Sequence, residues 1–367
     1  MKRTERSAWK GKVTNMEYGS FEVRKLTADD LERAPRCFAN ERDGFAVLGK
    51  AAHYAQFFVA GIQNPVYYFR NINPDSQRWS GIIEFGDHPL ACQRGLHGED
   101  IAQEDAVSGP YHKVGDDPKL FEIESTSPYS LLRFTDDGSG GVAAEFKEGP
   151  GGSILDLKVT PFPVAVISHA NPQQPAPYFQ VNTLVEGTYM GKPVRGMGGF
   201  DRTFVVDHVK GDSGKEEQNY AATYRCTCAL YSGIRQDGRR ECVYALITAQ
   251  NGTGIGMYYI DGEAPIVTNK VRLDAVFRRL PYVQDDTVVY TDAVWTIGPK
   301  IIHFNGKWGT KSFSAYPKLD KHGQSQCFGT WYEGDTPYEH VISHAFNENS
   351  GDAFAPRMKA MGFEIID

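Results

Sequence analysis

"CALYSGIRQDGRRECVYALIT", residues 228–248, reads as a strand, a tight turn and a returning strand. Apolar residues dominate both arms. Asp237-Gly238 at the centre is a dipeptide that suits a two-residue type I′ turn. Two further stretches repeat the pattern: "GIGMYYIDGEAPIVTN" (254–269) centres on Asp261-Gly262, and "IIHFNGKWGTKSF" (301–313) on Asn305-Gly306. "VRLDAVF" (271–277) alternates as a strand, with Val271, Leu273, Ala275 and Phe277 on one face. "YFQVNTLVEGTYMGKPVRG" (178–196) gives a strand, a Gly191-Lys192 turn and a return strand. Antiparallel hairpins in series form a meander. A long meander tends to close into a barrel, because closure removes the exposed edges.

The first half is less regular. "PVYYFRNI", "WSGIIEFG", "LFEIESTSPYSLLRFTDD" and "SILDLKVTPFPVAVISH" are strand-like. "LTADDLERAPRCFA" has Thr27 as a candidate N-cap and acidic residues in its first turn, so it predicts a helix. "APRMKAMG" near the C-terminus predicts a short one. Residues 86–117 show no clear periodicity, and a loop of that length is often functional. "KGDSGKEEQN", residues 210–219, is the expected linker. It divides the chain into an N-terminal β domain with long loops, 1–209, and a C-terminal β-barrel domain, 220–367.

Net charge of −7 and the absence of a basic stripe argue against nucleic acid. No apolar run is long enough for a transmembrane helix. "MKRTERSAWKGKV" lacks the apolar stretch of a signal peptide, so a cytoplasmic location is expected. The cysteines are scattered and read as reduced thiols. Cys226, Cys228 and Cys242 invite a zinc reading. If Asp237-Gly238 is a two-residue turn, however, Cys242 lies opposite Gly233, and three thiols cannot converge on one ion at ~2.3 Å. In "YEHVISHAF" (338–346), His340 and His344 share a face of a strand but stand too far apart to ligate one metal.

"GKPVRGMGGFDRTFVVDH", residues 191–208, carries the candidate chemistry. "GMGG" has no Walker lysine and no helix after it, so it does not cradle a phosphate. The glycines suit a bend at a barrel rim, or close approach by another backbone or a ligand. After them Asp201, Thr203, Val205 and Asp207 alternate with Arg202, Phe204, Val206 and His208. A carboxylate in an apolar barrel has a raised pKa and serves as a general acid. An Arg or His beside it stabilises an oxyanion or orients the acid. The bland reading of Asp201 and Arg202 is a rim ion pair.

"YFQVNTLVEGTYMGKPVRGMGGFDRTF" (178–204) and "DGRRECVYALITAQNGTGIGMYYIDGEAPIVTNKVRLDAVF" (237–277) together resemble the lipocalin-like, double-calycin proteins. That group includes carotenoid 1,2-hydratases, kievitone hydratase-like proteins and fungal Diels–Alderase-like cyclases. Its pattern is an aromatic-Gln strand, a Gly-tipped hairpin, Gly-x-Gly, an acidic residue, His and Trp-Gly. Tyr178, Gln180, Asp201 and Arg202 stand at matching positions. The pattern's His is Arg202 here, and its Trp-Gly is replaced by "TFVV". The resemblance implies a mostly β protein of two packed barrels, each of about eight to ten strands. It implies a hydrophobic pocket at a barrel mouth or between the barrels, with no redox cofactor and no metal.

The expected activity is that of a cofactor-independent lyase, hydratase or isomerase acting on an isoprenoid, polyketide or flavonoid-like molecule. Asp201, Arg202, His208 and Tyr258 are the candidate catalytic residues; Tyr178, Gln180 and Tyr259 are the candidates for substrate binding. The chain is compatible with a homodimer. One alternative is a lipocalin-like carrier, which would look similar. Another is a carbohydrate-active β protein with facing carboxylates about 5–9 Å apart. Asp201 and Asp207 cannot be that pair, since six strand residues separate them by about 20 Å.

Overall fold

A computed structural model describes residues 20–26, 50–60, 65–72, 78–84, 107–108, 112–113, 121–126, 129–136, 141–169, 178–205, 226–248, 254–279, 288–311, 325–350, 359 and 362–366. Among them nearly everything is strand, as the composition and turn signals implied. The predicted helix at 26–39 and the linker at 210–219 lie outside the described residues, apart from Leu26. Of the predicted C-terminal helix only a turn is described, closed by the Gly362 amide donating to the Lys359 carbonyl at 2.9 Å. No described helix is long and apolar enough to cross a membrane.

The first sheet contains β1 (Ser20–Lys25), β2 (Lys50–Ala60), β3 (Val66–Ile72), β4 (Arg78–Glu84), β5 (Val107–Ser108), β6 (His112–Lys113) and β7 (Phe121–Thr126). It continues with β8 (Tyr129–Asp136), β9 (Val142–Glu148), β10 (Leu155–Pro161), β11 (Val164–His169), β12 (Tyr178–Tyr189) and β13 (Lys192–Val205). Its spatial order is β5-β4-β3-β2-β13-β12-β10-β9-β8-β7-β6, with β11 joining β12 to β1. The second sheet contains β14 (Cys226–Ile234), β15 (Arg240–Thr248), β16 (Gly254–Ile260), β17 (Ile266–Thr268) and β18 (Val271–Arg279). After these come β19 (Val288–Ile297), β20 (Lys300–Lys311), β21 (Ser325–Glu333), β22 (Ile342–Ser350) and β23 (Glu364–Ile366). The order here is β17-β16-β15-β14-β22-β21-β20-β19-β18-β23, antiparallel except for β18 with β23.

Each sheet curls around its own core. Val159, Val181, Phe146 and Phe200 belong to the first core; Tyr231, Tyr290, Trp295 and Phe304 belong to the second. Gly256 faces inward where the second barrel closes. A Cβ there would lie 2.7 Å from Ile297 and 2.8 Å from Val271, so only glycine lets these strands approach. Burial also separates two kinds of strand. In β9 and β10 buried residues alternate with more exposed ones, so one face is solvated. Every residue of β16 is buried, so both its faces are covered. One face lines the second core, and the other packs against the first domain.

The turns correct three sequence expectations. In the 228–248 hairpin, Ile234 pairs with Arg240, and the Arg235 amide donates to the Arg239 carbonyl at 2.9 Å. The loop is therefore Gln236-Asp237-Gly238, three residues, with Gly238 at φ 85°. That is the type I turn with a left-handed glycine rather than the two-residue turn. The register moves by one, and Cys242 pairs with Ser232 instead of Gly233. The β12–β13 turn is Met190-Gly191, both at positive φ, instead of Gly191-Lys192. Asn305-Gly306 is no turn at all. It lies inside β20 beside a bulge between Gly306 and Trp308, and the real turn is Gly298-Pro299, flanked by the Ile297–Lys300 pair.

Candidate functional site

Two places gather buried polar side chains, and they divide the residues singled out in the sequence. The first is the seam between the barrels. β12 alternates there for a physical reason: Val181 and Val185 face the first core, while Leu184 joins a shared apolar cluster with Met197, Leu230, Tyr244, Met257 and Phe346. Asn182 sits on the seam face. Its Nδ2 donates to the carbonyls of Tyr231 (3.0 Å) and Val243 (2.9 Å), so one side chain clamps β12 to β14 and β15. Its cross-strand partner is Gly199. A Cβ on Gly199 would lie 2.7 Å from Gln180 Nε2 and 3.1 Å from Leu230 Cδ2. This answers what the glycine does: it makes room for the second barrel.

Gln180 is buried on this face, and its Nε2 donates to the Val181 carbonyl at 3.1 Å. Tyr259 belongs to the same cluster, with its ring edge-on to Phe162 at 6.3 Å. Its hydroxyl donates to Asp261 Oδ1 at 3.2 Å, and burial followed by the Asp261 charge raises its pKa. Asp201 pairs with Gln180 and Arg202 with Phe179 along β12–β13. Tyr178 pairs with Ser168. The side chains of Asp201, Arg202 and Tyr178, and the whole of His208, lie outside the described residues.

The second place is the mouth of the second barrel, and Glu241 is its centre. On β15, Glu241, Val243 and Ala245 share the inward face, and Glu241 has no exposed surface. Four donors converge on its carboxylate. Arg235 Nε lies 2.8 Å and the Tyr258 hydroxyl 2.6 Å from Oε2. The Tyr338 hydroxyl lies 2.7 Å and His340 Nε2 2.5 Å from Oε1. These use the acceptor capacity of an ionised carboxylate. Burial alone would raise its pKa, but the bonds from His340, Arg235, Tyr258 and Tyr338 outweigh it and hold the carboxyl at about 2. Burial and the Glu241 charge push Tyr258 and Tyr338 well above the ordinary phenol value, so both stay protonated donors.

The hub reaches solvent through cations. Arg235 also bonds Glu333 at 3.5 Å and lies over the Tyr338 ring at 4.8 Å. Lys300 pairs with Glu333 at 3.1 Å and lies over the Tyr258 ring at 4.6 Å. Tyr338 and His340 come from the irregular segment 334–341, which straps the mouth. The Val341 amide donates to the Ile234 carbonyl at 2.7 Å, and Gln236 Nε2 to the Glu339 carbonyl at 3.2 Å. His340 therefore precedes β22, and it does not share a strand face with His344.

Gln180 and Tyr259 thus lie at the seam, whereas Tyr258, adjacent in sequence to Tyr259, points the other way into the hub. Sequence reading missed Asn182, Arg235, Glu241, Tyr338 and the hub role of His340. For Glu241 a signal existed: a carboxylate on the inward, otherwise apolar face of a strand. Among the described residues no group of three metal-ligating side chains forms. Cys228 and Cys242 are buried in the seam cluster and form no disulfide with each other.

The sequence matches no family model and no curated protein. Among solved structures, the chain is similar to a protein from Nitrosomonas europaea assigned to ATTH, at 12% identity and TM-score 0.46, over 82% of this chain and 92% of that one. It is similar to CghA at 11% identity and TM-score 0.43, over 82% and 89% of the two chains. It is also similar to kievitone hydratase from Nectria haematococca at 8% identity and TM-score 0.35, over 85% and 92%.

Proposed function

We propose that this chain is a cofactor-independent lyase, hydratase or isomerase that acts by acid–base chemistry on a hydrophobic small molecule held at the seam between its barrels. The observation that carries the reading is how the polar groups sit. Among the described residues, large side chains such as Phe146, Phe200, Tyr231 and Trp295 pack the two barrel cores. The seam instead combines an apolar wall with buried Gln180 and Tyr259, and Asp201 pairs with Gln180 across β12–β13. An apolar surface with a few convergent polar groups is what a small-molecule site needs. In this reading Gln180 and Tyr259 orient the substrate. Asp201 moves the proton, with Arg202 or His208 stabilising the charge that develops.

The test begins with native mass spectrometry and organic extraction of the chain purified from its own host. A co-purifying isoprenoid, polyketide or flavonoid-like compound supports the reading. Turnover of that compound by Asp201→Asn should then fall by about 10²–10⁴-fold. Unchanged turnover, or tight binding with no turnover by either protein, would sink the catalytic reading and favour a carrier.

A further inference from the structure

The hub at the second barrel's mouth contains one buried nitrogen with no hydrogen-bond partner among the described residues. The His340 side chain has no exposed surface, and its Nε2 lies 2.5 Å from Glu241 Oε1. The ionised Glu241 can only accept, so Nε2 carries the proton and donates it. In the neutral imidazole Nδ1 is then bare. Nδ1 is buried and has no hydrogen-bond partner among the described residues. A carboxylate that fixes one ring nitrogen, leaving the other free to take a proton, is the arrangement used by oriented histidine bases. Glu241 is itself held by Arg235, Tyr258 and Tyr338, so the imidazole has a rigid anchor.

We propose that His340 is the general base of a second reaction centre at this mouth, positioned by Glu241, and that it activates a hydroxyl against a carbonyl compound such as an ester. The hydroxyl, of water or an alcohol, donates to Nδ1. As its O–H bond breaks, its oxygen forms a bond to the carbonyl carbon, and the C=O π pair moves to the carbonyl oxygen. The proton stays on His340 as an imidazolium, which Glu241 stabilises. When the tetrahedral species collapses, the C–O bond to the leaving alcohol breaks and that oxygen takes the proton back from Nδ1. Arg235 and Lys300 suit the transient oxyanion. Their side chains are 22% and 24% exposed, at the solvent edge of the hub. Access requires the exposed turn 335–337 of the strap to move aside while Tyr338 and His340 keep their bonds to Glu241.

This centre does not rest on the seam, and its readouts use a different substrate and different variants. Two measurements on the full chain test it. Nitrogen-15 histidine NMR should show the neutral form of His340 as the Nε2–H tautomer. Glu241→Gln should mix the tautomers and Glu241→Asp should restore the preference. The wild type should hydrolyse p-nitrophenyl butyrate, and His340→Gln should lower kcat/KM by about 10²–10⁴-fold. Glu263→Gln, at an exposed position beyond β16 where it pairs with Arg239, should leave hydrolysis unchanged. An Nδ1–H tautomer, no hydrolysis by the wild type, or wild-type hydrolysis by His340→Gln would each overturn the proposal. Should His340→Gln fail to fold, the tautomer of the unmodified chain decides.

Discussion

Replacing Glu241 by Gln removes a full negative charge from a place where four donors meet. The amide keeps one acceptor oxygen and turns an NH₂ group towards the rest. At least two of the donors Arg235, Tyr258, Tyr338 and His340 then lose their acceptor, and Arg235 loses a counter-charge 2.8 Å away. Breaking a buried charge pair from one side costs about 3–5 kcal/mol. The titration of Glu241 gives a similar size. Its carboxyl is lowered from 4.5 to about 2, which corresponds to roughly 3 kcal/mol at 1.36 kcal/mol per pH unit. A depressed carboxyl stabilises the fold above its unfolded pKa and loses that contribution as pH falls through its folded pKa. The wild type should therefore exceed E241Q by about 3 kcal/mol at pH 7. The gap should close between pH 4.5 and about 2. Urea unfolding followed by tryptophan fluorescence across that range reads both. A gap under about 1 kcal/mol at pH 7, or one that does not change with pH, would refute the account of the hub.

Gly199→Val should destabilise by about 1–3 kcal/mol in thermal or urea unfolding, because its Cβ meets Gln180 and Leu230. Leu230→Ala in the same chain should recover part of that loss, and simple additivity of the two changes would argue against contact. Burial, and then the charge of His340, lower His344 to about 4. Between pH 6.5 and 4 the unfolded chain binds a proton that the folded one refuses, so stability should fall with pH by up to about 1.4 kcal/mol per unit. His344→Gln should flatten that part of the profile. Met190 holds φ 48° at a two-residue turn and is 55% exposed. Met190→Asn supplies the favoured Asn-Gly turn and should raise stability by about 0.5–1 kcal/mol, seen as a higher urea midpoint.

Much of the second barrel was legible because alternation and turn residues are local signals. "CALYSGI" and "RECVYALIT" form the paired arms of one hairpin, and the error was confined to the loop length, which a dipeptide motif alone does not fix. Asn305-Gly306 misled for another reason. Gly306 is needed for packing, since a Cβ there would lie 2.6 Å from Cys327 Sγ and 3.0 Å from the Phe304 ring. A motif match cannot separate that demand from a turn. The Glu241 hub was hidden more deeply. Arg235, Glu241, Tyr258 and the strap residues Tyr338 and His340 meet only because the barrel closes, and no spacing along the chain encodes the meeting. The seam was half legible. "FQVNTL" shows polar Gln180 and Asn182 alternating with apolar residues, which marks Gln180 as a binding candidate, but nothing local tells that β14 and β15 cover that face.

The most direct measurement is an experimental structure of the chain with its co-purified apolar compound bound. The account predicts that compound at the seam, against Gln180 and Tyr259, with a reacting atom within hydrogen-bond reach of Asp201. A compound seated inside either barrel, or away from both residues, would contradict it.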